Sequence, residues 1–192
     1  MKHLVKKQLA QSIATMQAVL ADETISDTLV TIAELTGDAM RSGRKLLVAG
    51  NGGSAADAQH LVAEFVVRLT DTRPALRAIA LTTDSSILTA CGNDFGFDQI
   101  FARQIEALGQ PGDLFLGIST SGNSPNILEA LEQSKKTGIT TIGFTGAGGG
   151  RMRDLCDHLV AIPSTVTMNI QESHLALEHI FCMLVECNIF KP

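Results

Sequence analysis

Apolar side chains recur at Val5, Leu9, Ile13, Met16 and Leu20, and this spacing of three to four predicts an amphipathic helix over residues 4–20. A second begins near Ser26, with Leu29, Ile32, Leu35 and Met40 on one stripe. From Arg44 onward the texture changes to short apolar runs bounded by turn residues: KLLVAG (45–50), RAIAL (77–81), DLFLGI (113–118), TTIGFT (140–145) and HLVAIP (158–163). Runs that are apolar throughout suit strands covered on both faces, so these read as five buried parallel strands. Helical patterns separate most of them, at 54–69, 98–108 and 124–137, and a last long helix covers 169–187. The pattern at 124–137 is the best punctuated. Ser124 stands at the N-cap position, Pro125 at the first helical position, Lys135 and Lys136 in the last turn and Gly138 just beyond it.

Alternating strands and helices predict a three-layer α/β/α sandwich on a five-stranded parallel sheet, with ligands at the C-terminal strand ends. Two leading helices with no strand before them cannot both cover so small a sheet. Residues 1–43 are therefore expected to form a helical segment that packs on the sheet and on partner subunits, and residues 44–192 the α/β unit of one structural whole.

Composition narrows the classes of function. A chain of 192 residues can bury about 70% of its unfolded surface and needs no metal or disulfide to fold. Trp and Tyr are absent, which removes the usual platforms for stacking bases. Net charge is −5, and the only basic runs are the pairs Lys6-Lys7 and Lys135-Lys136, so nothing marks a nucleic-acid or membrane partner. Cys91, Cys156, Cys182 and Cys187 show no CxxC spacing and read as small core residues in a reduced compartment. Lys2, Lys6, Lys7 and Gln8 interrupt any signal-like apolar stretch, and a soluble, cytoplasmic protein is expected.

Candidate chemistry lies in two turns. Gly50-Asn51-Gly52-Gly53-Ser54 and Ser119-Thr120-Ser121-Gly122-Asn123-Ser124 each follow a predicted strand and open a helix. Glycines admit a close ligand, hydroxyls and amides add donors, and the free N–H groups of the next helix favour an anion, so phosphate is the expected guest. The first turn lacks the third glycine of a dinucleotide fingerprint, and no Gly-Lys-Ser/Thr closes a P-loop. A small phosphorylated metabolite fits better than a nucleotide. The Gly146–Gly150 run reads as a plain surface loop.

After the first turn, Ser54 and Asp57 have capping-box spacing, and His60, Glu64 and Arg68 continue one stripe into the cleft region, where a carboxylate can take a proton from a carbon beside a carbonyl. On the last helix, Gln171, His174 and Glu178 share a face, while His179 is offset from Gln171 by roughly 80°. Periodicity alone does not rank the two histidines. Asn93-Asp94, between Gly92 and Gly96, reads as a turn signal.

Together these segments resemble the sugar isomerase (SIS) family, in particular its phosphoheptose isomerases. The resemblance rests on Gly50 to Ser54 with His60 and Glu64, on Gly92-Asn93-Asp94-Phe95-Gly96, on Gly117 to Ser124, and on Ile170-Gln171-Glu172 with His174 and His179. It covers essentially the whole chain. It implies the SIS fold, a homotetramer with sites at subunit interfaces, and conversion of sedoheptulose 7-phosphate to D-glycero-D-manno-heptose 7-phosphate, a precursor of bacterial surface polysaccharides. By the same resemblance Ser119, Thr120, Ser121 and Ser124 hold the phosphate, while Asn51, Gly52, Gly53, Ser54, Asn93, Asp94 and Gln171 line the sugar. Glu64 and His179 are then the acid/base pair. One zinc per subunit is implied on His60, Glu64, Gln171 and His179, a plausible four-ligand set. Metal ligand and free base are competing descriptions of the same Glu64. The chain departs from the family pattern at Met168-Asn169, where polar or charged residues such as Asp-Arg are expected. A non-catalytic branch of the family, which binds the bacterial replication initiator, shares the first turn but lacks the acid matching Glu64 and the histidine matching His179.

Overall fold

The computed structural model describes residues 1–191. Five strands, β1 (Leu46–Gly50), β2 (Ala78–Ala80), β3 (Leu114–Ser119), β4 (Thr140–Thr145) and β5 (His158–Ala161), form one parallel sheet in the order β2-β1-β3-β4-β5. Seven α-helices surround it: α1 (Lys2–Ala21), α2 (Glu23–Arg41), α3 (Gly53–Val66), α4 (Ser85–Asp94), α5 (Ala102–Leu108), α6 (Pro125–Thr137) and α7 (Thr167–Phe190). The α/β/α expectation holds, with every predicted strand in place. Central strands β1 and β3 are buried along their whole length, which accounts for their unbroken apolar runs. β2 is an edge strand with Ile79 exposed, so not all five strands are buried.

Alternate strand residues feed two cores. Leu46, Val48, Leu116, Ile118 and Phe144 meet Ile32 of α2, Leu61 and Phe65 of α3 and Phe181 of α7 on one face. Leu47, Ala49 and Phe115 meet Ile105, Ile127, Leu131 and Met152 on the other. α2 is thus part of the chain's own core. α1 differs: it buries only Thr15 and Val19, and Leu4, Val5, Leu9, Ile13 and Leu20 stay exposed.

Three local readings are corrected. The predicted 98–108 helix is a 3₁₀ turn (Phe97–Gln99) followed by α5, interrupted where Ile100 and Phe101 turn into the core. α3 starts at Gly53 with Gly52 as its N-cap, so Ser54 and Asp57 are inside the helix and form no capping box. Cys187 is exposed and Cys156 half-buried; only Cys91 and Cys182 are buried as expected. Among the described residues, no helix is long and apolar enough to cross a membrane.

At the N-terminal strand ends, the buried carboxylate of Asp113 accepts from the Lys45 backbone N–H at 3.0 Å, the Lys45 Nζ at 2.5 Å and the Gln110 N–H at 2.9 Å, tying β1 to β3. Removing one member of such a buried set strands the others. Asp113→Ala is expected to lower unfolding free energy by roughly 3 kcal/mol in chemical denaturation, with kcat per folded molecule unchanged. A loss below about 1 kcal/mol would show that the pair is dispensable.

Candidate active site

Both candidate turns sit at the C-terminal ends of neighbouring central strands, where the chain switches from building the sheet on one side to the other. Open α/β sheets bind ligands at such a switch point. The turns are clasped together: Asn51 Nδ2 donates to Asn126 Oδ1 at 2.9 Å, and Asn126 Nδ2 donates to Asn51 Oδ1 at 2.8 Å. Asn126, near the start of α6, had no signal in periodicity or spacing that singled it out.

In the second turn the hydroxyls of Ser119, Ser121 and Ser124 converge, with Ser119 Oγ 2.9 Å from Ser124 Oγ and 3.4 Å from Ser121 Oγ. Ser124 is the N-cap by position, but its hydroxyl is turned to Ser119 rather than to a helix N–H. Pro125 brings no N–H to the first position of α6, and the Ile127 and Leu128 N–H groups both donate to Ser124 O. The Gly146–Gly150 run is not a plain loop; it is the wall behind this turn. Gly146 N–H donates to Thr120 O, Arg151 N–H to Asn123 Oδ1 and Met152 N–H to Gly122 O. Gly122 has φ +65°, and a Cβ there would collide with the Gly149 carbonyl. Only glycines allow so close a backbone approach.

At the other end of the cleft, α3 and α7 bring together His60, Glu64 and His179. His60 Nε2 lies 2.8 Å from His179 Nε2 and 3.6 Å from Glu64 Oε1, with the two rings edge to face. One ligand atom from each of the three lies within 4.8 Å of the others. Two imidazoles and a carboxylate at this spacing suit a divalent transition metal as well as a proton relay. All three are half-buried.

The structure separates the histidines that the helical wheel left unranked. His174 is buried, its Nε2 is 3.1 Å from Thr145 O and its ring lies against Phe144. Burial pushes its pKa down to about 4, so it is a neutral interior residue. His179 faces His60 instead.

The other candidates make contacts of their own. Gln171 packs on Gly53 and donates to Asp57 Oδ1 at 3.2 Å. Arg68 lies beyond the end of α3, exposed, and bonds Thr72. Asn93 and Asp94 end α4 rather than forming a turn, and Asn93 Nδ2 donates to its neighbour's Oδ1. The departure at Met168-Asn169 has a structural outlet: Asn169 is buried and its Oδ1 accepts from Gln8 Nε2 of α1 at 2.6 Å, while Met168 is exposed.

Two carboxyls lie beneath the trio. Asp57 Oδ2 and both oxygens of fully buried Glu178 have no hydrogen-bond partner among the described residues. Burial first, and then the charge of Asp57, push the Glu178 carboxyl up to about 8. Burial also raises Asp57, against the opposing pull of Gln171 and His60.

A model of the SIS domain family matches residues 9–146. This chain belongs to the SIS domain family. Full-length relatives in that family carry one activity in their names. The phosphoheptose isomerase of Aneurinibacillus thermoaerophilus is 50% identical over 191 residues, 100% of this chain and 96% of that protein. That of Burkholderia pseudomallei strain 1710b is 52% identical over 186 residues, 97% of this chain and 94% of that protein. Among solved structures, phosphoheptose isomerase from Neisseria gonorrhoeae superposes with a TM-score of 0.91 at 40% identity, over 96% of this chain and 98% of that one. The SIS fold, with its two leading helices, is therefore the fold of this chain.

Glu178 generates a pH prediction. Its folded pKa, about 8, stands above the unfolded value of 4.5, so the folded state holds the proton more tightly and stability falls as pH rises between those values. Glu178→Gln removes this dependence. The melting temperature of the variant relative to wild type should climb steadily between pH 5 and pH 8, and parallel curves would refute it.

Proposed function

We propose that this chain interconverts sedoheptulose 7-phosphate and D-glycero-D-manno-heptose 7-phosphate through an enediol, with Glu64 and His179 as the acid/base pair. Its class, a sugar-phosphate isomerase, follows from full-length relatives of 50% and 52% identity named for that activity. The observation that carries the finer reading is the meeting of Glu64 with His179, through His60, across two helices that are remote in sequence.

Moving a proton between adjacent carbons of an aldose and a ketose needs one group to lift the carbon proton and one to exchange protons on the oxygens. Glu64 is the carboxylate base, taking the proton from one carbon and returning it to the next. His179 serves the hydroxyl and carbonyl oxygens, since an imidazole can both donate and accept a proton. Ser119, Thr120, Ser121 and Ser124 hold the phosphate at the far end of the sugar and set its register over the base. Asn51, Gly52, Gly53, Ser54, Asn93, Asp94 and Gln171 line the sugar between them.

The donor set at His60, Glu64 and His179 fits a zinc ion, with the Gln171 amide oxygen as a fourth ligand. When bound, zinc would supply Lewis-acid polarisation of the substrate carbonyl. Glu64 is then either a metal ligand or a free base at any one moment. The uncovered apolar stripe of α1 continues into a groove lined by Met16, Leu20, Val30 and Ile180, which supports residues 1–43 as a segment that packs on the sheet through α2 and on partner subunits of a homotetramer through α1.

Tag-free protein is expected to turn over sedoheptulose 7-phosphate, to sediment as a tetramer and to contain one zinc per chain by elemental analysis. Each readout stands alone. Absence of turnover with tight binding to the replication initiator would replace the enzymatic reading with the adaptor one, and a metal-free, fully active enzyme would remove zinc. Glu64→Gln and His179→Ala should each cut kcat by roughly 10³-fold or more while leaving the assembly intact; normal turnover in either would unseat that residue.

A further inference from the structure

The C-terminal end of α3 is held by a guanidinium and by the Leu76 N–H, which donates to Phe65 O at 3.0 Å. Arg73 Nη2 donates to the carbonyl of Glu64 at 2.6 Å and Nη1 to that of Phe65 at 2.7 Å, while Nε donates to Glu186 Oε1 of α7 at 2.7 Å. Both charged side chains are almost wholly buried, at 4% and 9% exposure. These carbonyls are among the last four of α3, which have no partner within their own helix. A cation is also the favourable charge at that end of the helix dipole. Glu186 neutralises the guanidinium and lies two turns along α7 from His179.

We propose that Arg73 is a positioning residue for the isomerisation: through Glu186 it locks the backbone of Glu64 to the helix that carries His179. The inference rests on the reading of Glu64 and His179 as the acid/base pair. Beside the imidazole pair, the apolar ring contact between the two helices is edge to face, Phe65 against Phe181 at 5.6 Å between centroids. Apolar packing of that kind fixes separation but leaves axial slip cheap. A planar group that donates to two successive carbonyls on one helix and a carboxylate on the other fixes the slip as well. The distance from carboxylate to imidazole is set by that register, and an error near 1 Å in placing a catalytic group costs up to roughly 100-fold in rate. The phosphate turn lies on β3 and α6, which Arg73 does not touch, so substrate affinity is decoupled from the brace.

Steady-state kinetics on the assembled enzyme separate this role from mere stabilisation. In Arg73→Lys the charge is kept and the fork lost, so kcat should fall roughly 10- to 100-fold with KM within about twofold. The double variant Arg73→Met with Glu186→Leu removes both charges and strands neither, so it should fold. It still lacks the carbonyl clasp and should show the same fall in kcat at unchanged KM. Wild-type kcat in the double variant, whatever its melting temperature, would overturn the proposal, as would a loss confined to KM. Glu64→Gln runs beside them as a control. If it is inactive while the Arg73 variants run normally, only the positioning role fails; if it retains turnover, the acid/base reading fails and the brace with it.

Discussion

The close packing of α3 on α7 is the constraint on which the rest of the molecule depends. Each helix alone carries only part of the trio: His60 and Glu64 on one, His179 on the other. Both lie on the same face of the sheet, inside one apolar core with α2, and their positions are set by Phe65, Leu61 and Phe181 meeting the strands beneath. Burial of this size stabilises by about 1.5 to 3 kcal/mol per large side chain, ample to hold two helices together but weakly selective for their register. Register comes from directed contacts at three heights along the pair: Gln171 on Asp57 near the turn, the imidazole pair in the middle, and Arg73 on Glu186 at the far end. The helices are joined by packing and indexed by polar bonds.

A second constraint holds the opposite end of the cleft. The reciprocal amide pair of Asn51 and Asn126 ties the first turn to the helix that follows the second, and so ties the start of α3 to the serine-rich turn. Behind them, glycines at 122, 149 and 150 let two backbone segments approach to a distance that any Cβ would prevent. A sugar phosphate spanning these ends would find both its anchor and its reacting carbons referenced to the same sheet edge, and this is the geometry in which remote binding contributes to rate.

How much of this is legible in the chain follows from which forces act locally. Strands β1 and β3 stand out because burial on both faces leaves a run with almost no polar side chain, and α6 because Ser124, Pro125 and Gly138 punctuate it. His60 and Glu64 are visible as one helical stripe. The choice of His179 over His174 is not, because it depends on where α7 crosses α3, and a helical wheel holds no information about a crossing. The resemblance supplied His179; coordinates show why His174 is excluded, with its ring sealed against Phe144 and Thr145. The glycine run and Asn126 escaped for a related reason, since close backbone approach and an amide pair 75 residues apart leave no periodic trace. The supposed capping box at Ser54 and Asp57 had the right spacing and the wrong context: the helix had already begun at Gly53, and the carboxylate was spent on Gln171.

The unusual makeup of α7 fits the same logic. A helix buried on most sides should be apolar all round, and polar residues on it should be satisfied by partners. Asn169 is tied to α1 through Gln8, His174 to β4 through Thr145, and Glu186 to the end of α3 through Arg73. Each of these pairings docks α7 to a different element. Glu178 is the exception, fully buried with both oxygens unpartnered. Its apolar surroundings keep it protonated into the neutral range, which lowers the cost of burial but does not remove it. Its place in the chain explains why that cost is hard to escape by movement: any rotation of α7 that carried Glu178 toward solvent would carry the adjacent His179 away from His60. The contact of His179 with His60 and the burial of Glu178 are thus set by one and the same orientation of the helix.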